Sequence, residues 1–186
     1  MKTESLDNLI AAALAVVVSL PLFTVRTAEA EESGSFTVLH SYVRNLTVIE
    51  HAGGNVTGGP LTGTGTVLDS SGAPFVKGTN SNAACILYSR MSEAGIDLKA
   101  PCTTTDADGD RMYLMSRRET GDIQDGGGGL GNAEIIGGTG KYAGIRGTCS
   151  YDTEYLPDNR IVTSARCDWV ESGGSARTVG EVYSSS

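Results

Sequence analysis

The chain has 186 residues, 25 of them glycine, with 14 basic and 22 acidic side chains and a formal net charge of −8. That length suits one domain with a sizeable core. The acidity, with no basic stripe, speaks against binding nucleic acid or an anionic membrane surface.

Residues 1–30 read as a secretory signal. Residues 9–23 are almost wholly apolar, broken by Ser19 and Pro21, and Ala28-Glu29-Ala30 supplies a small-residue cleavage site. The apolar run falls short of the roughly 20 residues a membrane-spanning helix needs. In the n-region Lys2 is offset by Glu4 and Asp7, so an uncleaved anchor is the alternative. Cleavage would leave residues 31–186 as a single exported domain, periplasmic or extracellular, without an integral membrane span. All 25 glycines lie in that part, among frequent Thr, Val, Ile and Tyr, which argues for an all-β domain with many turns.

Residues 31–35 are polar. Residues 36–50 alternate as one long strand, with Phe36, Val38, His40 and Tyr42 on one face and Leu39 and Val43 on the other. Residues 52–65, rich in glycine and threonine, read as a loop leading into a strand at 64–69. Ser70-Ser71-Gly72 then turns the chain. Strands are expected at 75–79, 83–90, 96–105 and 111–119, the last two flanking the hairpin turn Asp106-Ala107-Asp108-Gly109. Residues 121–131, with four consecutive glycines, read as a connection. Strands follow at 132–136, 145–155 and 161–171, and a closing strand at 179–183. Eight or nine short strands without a sustained helical period suggest a closed antiparallel barrel, because closure removes exposed edges.

The last hairpin distinguishes an inside from an outside. Ile145, Cys149, Tyr151, Thr153 and Tyr155 share a face with Ile161, Thr163, Ala165, Cys167 and Trp169. Arg146, Asp152, Glu154, Arg160, Arg166 and Asp168 occupy the other. Charges are expensive to bury, so the aromatic face should point into the barrel. There His40, Tyr42, Tyr151, Tyr155 and Trp169 are the candidates to line a ligand cavity, the competing reading being that they fill a solid core.

Four cysteines in an exported chain favour disulfides. Cys85–Cys102 and Cys149–Cys167 each centre on a turn, at residues 93–94 and at Asp158. Antiparallel strands around those turns would bring each pair opposite at bridging distance. A four-thiolate zinc site is the alternative, but it lacks any C-x-x-C spacing.

Other motifs carry less. An EF-hand beginning at Asp106 would need Gly and Glu where Arg111 and Arg117 stand. A looser cation site at Asp106, Asp108 and Asp110 competes with a plain Asp-Gly hairpin. Gly126–Gly131 and 138–143 fit G-x-G-x-x-G patterns without opening a helix, and Gly140-Lys141-Tyr142 lacks the P-loop hydroxyl, so no nucleotide, metal or other cofactor is expected. His40, in a patterned strand, is the one histidine placed to act as acid or base; His51 lies beside a glycine turn. No G-x-S-x-G elbow is present. Asn45-Leu46-Thr47 and Asn55-Val56-Thr57 fit the glycosylation pattern.

Residues 133–151, AEIIGGTGKYAGIRGTCSY, read as strand, glycine turn, strand. Gly137-Gly138-Thr139-Gly140-Lys141-Tyr142, with Gly144 and Gly147, resembles the glycine signature of the allene oxide cyclase-like and dirigent-like β-barrels. The similarity spans residues 63–170. Residues 102–110 also resemble small exported bacterial proteins of unassigned role. The resemblance implies an eight-stranded antiparallel barrel with a central cavity, trimeric in many plant members, which steer cyclisation or radical coupling of apolar substrates. The matched glycines are architectural, and no catalytic residue carries over. The expected function is therefore an exported barrel that binds a small, partly apolar molecule in its lumen. A cyclase or isomerase on the same barrel, or a non-catalytic envelope or surface protein, are the alternatives.

Overall fold

The computed structural model describes residues 32–92, 95–119 and 128–172. Among the described residues nine strands are formed: β1 (Ser33–Arg44), β2 (Thr47–His51), β3 (Gly54–Ser70), β4 (Asn80–Ser92), β5 (Gly95–Asp106), β6 (Arg111–Arg118), β7 (Gly129–Gly138), β8 (Ile145–Leu156) and β9 (Arg160–Glu171). The sheet order is β1-β9-β8-β7-β6-β5-β4-β3-β2, and β1 also pairs with β3. Eight strands therefore close into an antiparallel barrel, with β2 as a ninth strand outside the ring. A 3₁₀ turn, Gly140–Tyr142, interrupts the strand pattern. No helix among the described residues is long and apolar enough to cross a membrane.

Closure rests on β1. Its residues pair across both seams: Phe36 faces Cys167 of β9 and Ser70 of β3, and His40 faces Thr163 and Gly65. The inside–outside alternation agrees with the sequence. Phe36, Val38, His40 and Tyr42 are buried, whereas Leu39 and Val43 are exposed. Along β8 and β9, Cys149, Tyr151, Thr153, Ile161, Ala165, Cys167 and Trp169 are buried, and Arg146, Asp152, Glu154, Arg166 and Asp168 are exposed.

Both expected disulfides form. Cys85–Cys102 joins β4 to β5 and Cys149–Cys167 joins β8 to β9, each between residues directly opposite in the ladder. Their Cα atoms lie 4.1 and 4.0 Å apart. All four thiols are thereby consumed, so no four-thiolate zinc site exists.

Three expected elements differ. Residues 36–50 are two strands, not one, because the chain steps out at Asn45 and Leu46 before rejoining β3 as β2. The glycine-rich run at 52–65 is mostly strand. There β3 pairs with β2 and then β1 on one side and with β4 on the other, and this double ladder outweighs the poor β-propensity of glycine. Gly65 has a direct use: a Cβ there would lie 2.6 Å from Cδ2 of His40, so the bare backbone makes room for the imidazole. Residues 75–79 form no strand but part of the loop between β3 and β4. The leader, the turn at 93–94, most of the 121–131 connection and the strand expected at 179–183 fall outside the described residues.

The core comprises two apolar clusters along the barrel axis. One gathers Phe36, Phe75, Ile135, Tyr142, Ile145 and Trp169 at the end where β1 begins. The other gathers Tyr42, Leu61, Leu87, Leu98 and Ile161 towards the opposite end.

Candidate functional site

One end of the barrel is stoppered. The β3–β4 loop turns inward and inserts Phe75, which is 3% exposed. Its ring stacks on Phe36 at 3.8 Å between centroids and meets Tyr142 at 5.5 Å and Trp169 at 5.7 Å. The Ser70 hydroxyl accepts the Gly72 amide at 3.0 Å and donates to the Phe75 carbonyl, which fixes the loop's entry.

Tyr142 reaches this plug from the glycine signature. Gly140 adopts φ +53°, a region where L side chains are strained, and a Cβ there would collide with the Asp110 carboxylate. The resulting 3₁₀ turn directs Tyr142 inward and Lys141 outward. The Lys141 ammonium lies 2.7 Å from Asp106 Oδ2 and 2.8 Å from Asp108 Oδ2. Asp106 Oδ1 accepts the amides of Asp108 at 2.9 Å and Asp110 at 3.1 Å, and Asp110 Oδ2 accepts the Lys141 amide at 3.2 Å. The acidic turn considered above as a cation site is thus engaged by a lysine of the chain itself. Burial alone would raise the Asp106 carboxyl. The Lys141 ammonium, the Tyr142 hydroxyl and the two amides outweigh it and hold the group below the ordinary carboxylate range. Lys141 is correspondingly raised, first by Asp106 and then by Asp108. Burial and the nearby Asp106 carboxylate push Tyr142 up to about 12. No cluster of three potential metal ligands occurs among the described residues.

Beyond the plug the inward side chains leave a cavity of about 120 Å³. Its walls are mainly apolar, with Val38, Leu61, Leu87, Leu98, Leu114 and Ile161 contributing. Polar groups interrupt them at His40, Tyr42, Arg118, Tyr151, Thr153 and Thr163. His40 and Tyr42, two residues apart on one face of β1, stack at 5.5 Å with an 18° interplanar angle. Burial lowers the His40 pKa to about 4, so the imidazole is neutral at pH 7. Tyr42 is raised well above the ordinary phenol value, by burial first and then by the neighbouring Tyr151. Neither the His40 imidazole nor the Tyr42 or Tyr155 hydroxyl forms a hydrogen bond to another described residue. Arg118 is 2% exposed, donates from Nη2 to the Gly129 carbonyl at 2.7 Å and lies 5.5 Å from the centre of the Tyr151 ring. The Tyr151 hydroxyl donates to the Arg117 carbonyl at 3.0 Å, and Thr153 and Thr163 bond through their hydroxyls at 3.2 Å.

The structure brings four of the five candidates, His40, Tyr42, Tyr151 and Tyr155, onto the cavity wall. Trp169 is inward and 4% exposed but belongs to the plug, behind Phe75. Its position at the far end of β9 removes it from the lumen. Sequence reasoning missed Arg118, although the inward alternation of Met112, Leu114 and Ser116 leads to it. It also missed Phe75 and Tyr142, because the residues before Phe75 carry no pattern that aims a loop inward.

No protein-family profile matches the chain, and no curated protein matches it. Solved structures do. The pterocarpan synthase dirigent protein GePTS1 superposes with a TM-score of 0.52 at 14% identity, covering 82% of this chain and 92% of its own. The pterocarpan synthase dirigent protein PsPTS1 gives 0.47 at 14% identity, covering 78% of this chain and 98% of its own. A protein of unknown function from Clostridium acetobutylicum gives 0.49 at 12% identity, covering 76% and 99%. The GePTS1 superposition, with the closed eight-strand ring, makes the fold a dirigent-like barrel. At 14% identity this likeness extends to the fold and no further.

Proposed function

We propose that this chain is an exported binding protein whose barrel holds one small, largely apolar molecule carrying one or two hydrogen-bonding groups. The observation that carries this reading is the lumen: about 120 Å³ with mostly apolar walls, where His40 and Tyr42 have hydrogen-bonding capacity that no described residue uses. An apolar cavity of roughly 150 Å³ takes a benzene-sized ring, whereas drug-sized ligands occupy about 300–1,000 Å³. The part of the ligand inside is thus about one ring in size. The neutral imidazole and the un-ionised phenol favour an uncharged partner, since they offer donors and acceptors without a counter-charge. Export agrees with the two disulfides, which persist in oxidising compartments.

The same chemistry disfavours catalysis. A cyclase or isomerase working by proton transfer benefits from a group titrating near its working pH, and His40 titrates at about 4. The pterocarpan synthase description of the two dirigent proteins stays with them.

Thermal unfolding with a size series of neutral ring compounds tests the proposal, read together with imidazole and phenol NMR shifts. Benzyl alcohol and indole are expected to raise the melting temperature and to shift the His40 and Tyr42 signals. Charged analogues of the same size are expected to do neither. No binding by any member of the series, together with a native mass equal to the polypeptide alone for protein purified from its host, would overturn it.

A further inference from the structure

The lumen ends on a side chain that belongs to no strand. Phe75 is both the stopper and a part of the cavity wall. Among the described wall residues only Phe75, Thr79 and Tyr142 lie outside the strands. Tyr142 is committed to the 3₁₀ turn that Lys141 ties to Asp106. Towards the opposite end the wall is Leu61, Leu87 and Leu98, buried residues whose backbones pair in the barrel ladders. Phe75 is thus the bulky wall residue whose side chain can be shortened without disturbing a ladder or the latch.

The β3–β4 loop is built around that one ring. Of residues 71–79 Phe75 alone is buried, and its neighbour Val76 is 58% exposed. Both ends of the loop are tied by backbone bonds that do not involve the ring. The Ser71 amide donates to the Ser35 carbonyl at 2.9 Å. The Val67 amide donates to the Thr79 carbonyl at 3.0 Å, and the Val67 carbonyl accepts the Gly78 amide at 2.8 Å.

The seat of the ring is itself aromatic. Phe36 stacks on Phe75 with an interplanar angle of 14°, while Tyr142 and Trp169 meet it tilted, at 36° and 57°. Such contacts suit a flat ring in general, not phenylalanine in particular. Two walls of the seat are fixed from both sides: Phe36 lies between Cys167 and Ser70, and Trp169 between Gly34 and Gly147. Removing a buried phenyl group leaves a void about one ring in size, because the surroundings relax only in part.

We propose that Phe75 is the specificity-determining residue of the lumen: its ring fills a second aromatic subsite, formed by Phe36, Tyr142 and Trp169, and so restricts the ligand to a single ring. Without that ring the subsite joins the lumen, and the barrel takes a flat, uncharged two-ring compound. This inference rests on the lumen reading above.

Calorimetric titration with benzyl alcohol and with 2-naphthalenemethanol, its fused two-ring analogue, tests it. The parent is expected to bind the first and to bind the second far more weakly. Phe75→Ala is expected to bind the two-ring alcohol at least about tenfold more tightly than the parent does, through the added buried ring surface. Trp169 is the chain's one tryptophan, so its indole N–H gives a single NMR signal beside the seat. That signal is expected to shift when the two-ring alcohol is added to Phe75→Ala, and to stay in place for Val76→Ala. Phe75→Leu keeps an apolar anchor for the loop and is expected to show an intermediate gain; it carries the test if Phe75→Ala fails to fold. A parent that binds both alcohols equally well would overturn the proposal. So would Phe75 variants that bind benzyl alcohol and gain nothing for the larger compound. The lumen reading survives either of those results, whereas no binding of either alcohol by parent or variants would overturn both.

Discussion

At the scale of single residues, His40 couples the lumen to pH. Its pKa is about 4 in the folded barrel against 6.5 for the free side chain. Between those values the unfolded chain binds the proton and the folded one does not, so stability rises with pH through the window and falls as pH drops from 6.5 towards 4. A shift of this size corresponds to about 3 kcal/mol at most. Replacing His40 with Gln removes the titration, so urea unfolding compared at about pH 7 and about pH 4.5 should show a smaller loss for the variant than for the parent. Asp106 acts in a different window. Its folded pKa is depressed, so its contribution is present above the ordinary carboxylate value of 3.8 and is lost as pH falls through the lower, folded one. Gly65 supports His40 sterically. Gly65→Ala would press a methyl group against a buried imidazole and is expected to destabilise by about 1–3 kcal/mol, measurable by the same unfolding curves.

At the scale of elements, the glycine signature works as a latch. Gly140 admits the 3₁₀ turn, Lys141 ties it to the β5–β6 turn, and Tyr142 enters the plug. Lys141→Met leaves the Asp106 carboxylate, whose side chain is 2% exposed, without its cation. The expected loss is about 1–3 kcal/mol, with partial recovery in Lys141→Arg, read as shifts in denaturation midpoint. The signature's architectural role was legible from the sequence. Its partner was not, because Asp106 and Lys141 are far apart in the chain and each looks locally complete, one in an Asp-Gly turn and the other among glycines. The last hairpin is legible in the sequence because its charges fall on one parity and its aromatics on the other. The first part of β3, residues 54–65, reads as a loop because propensity weighs only the residue, while two flanking ladders determine the strand. The cavity wall was legible where alternation was clean, at His40, Tyr42, Tyr151 and Tyr155. Trp169 obeys the same alternation but lies too far along β9, and parity says nothing about depth.

At the scale of the whole molecule, both disulfides join strands that are neighbours in sequence as well as in space, with separations of 17 and 18 residues. The chain-entropy account gives about 3 kcal/mol for each such loop. Replacing either pair with serines is therefore expected to lower unfolding free energy by about that amount, checked by denaturant titration of each double variant. Neither bridge touches β1, which alone closes the ring.

That last feature bears on how the molecule comes into being. Phe36 near the start of the barrel must find Cys167 near its finish before the hoop exists. Ribosomes deliver these two strands far apart in time, so for most of its synthesis the chain is an open ribbon with two raw margins. The covalent ties can be made early, hairpin by hairpin, but the keystone can be fitted only last.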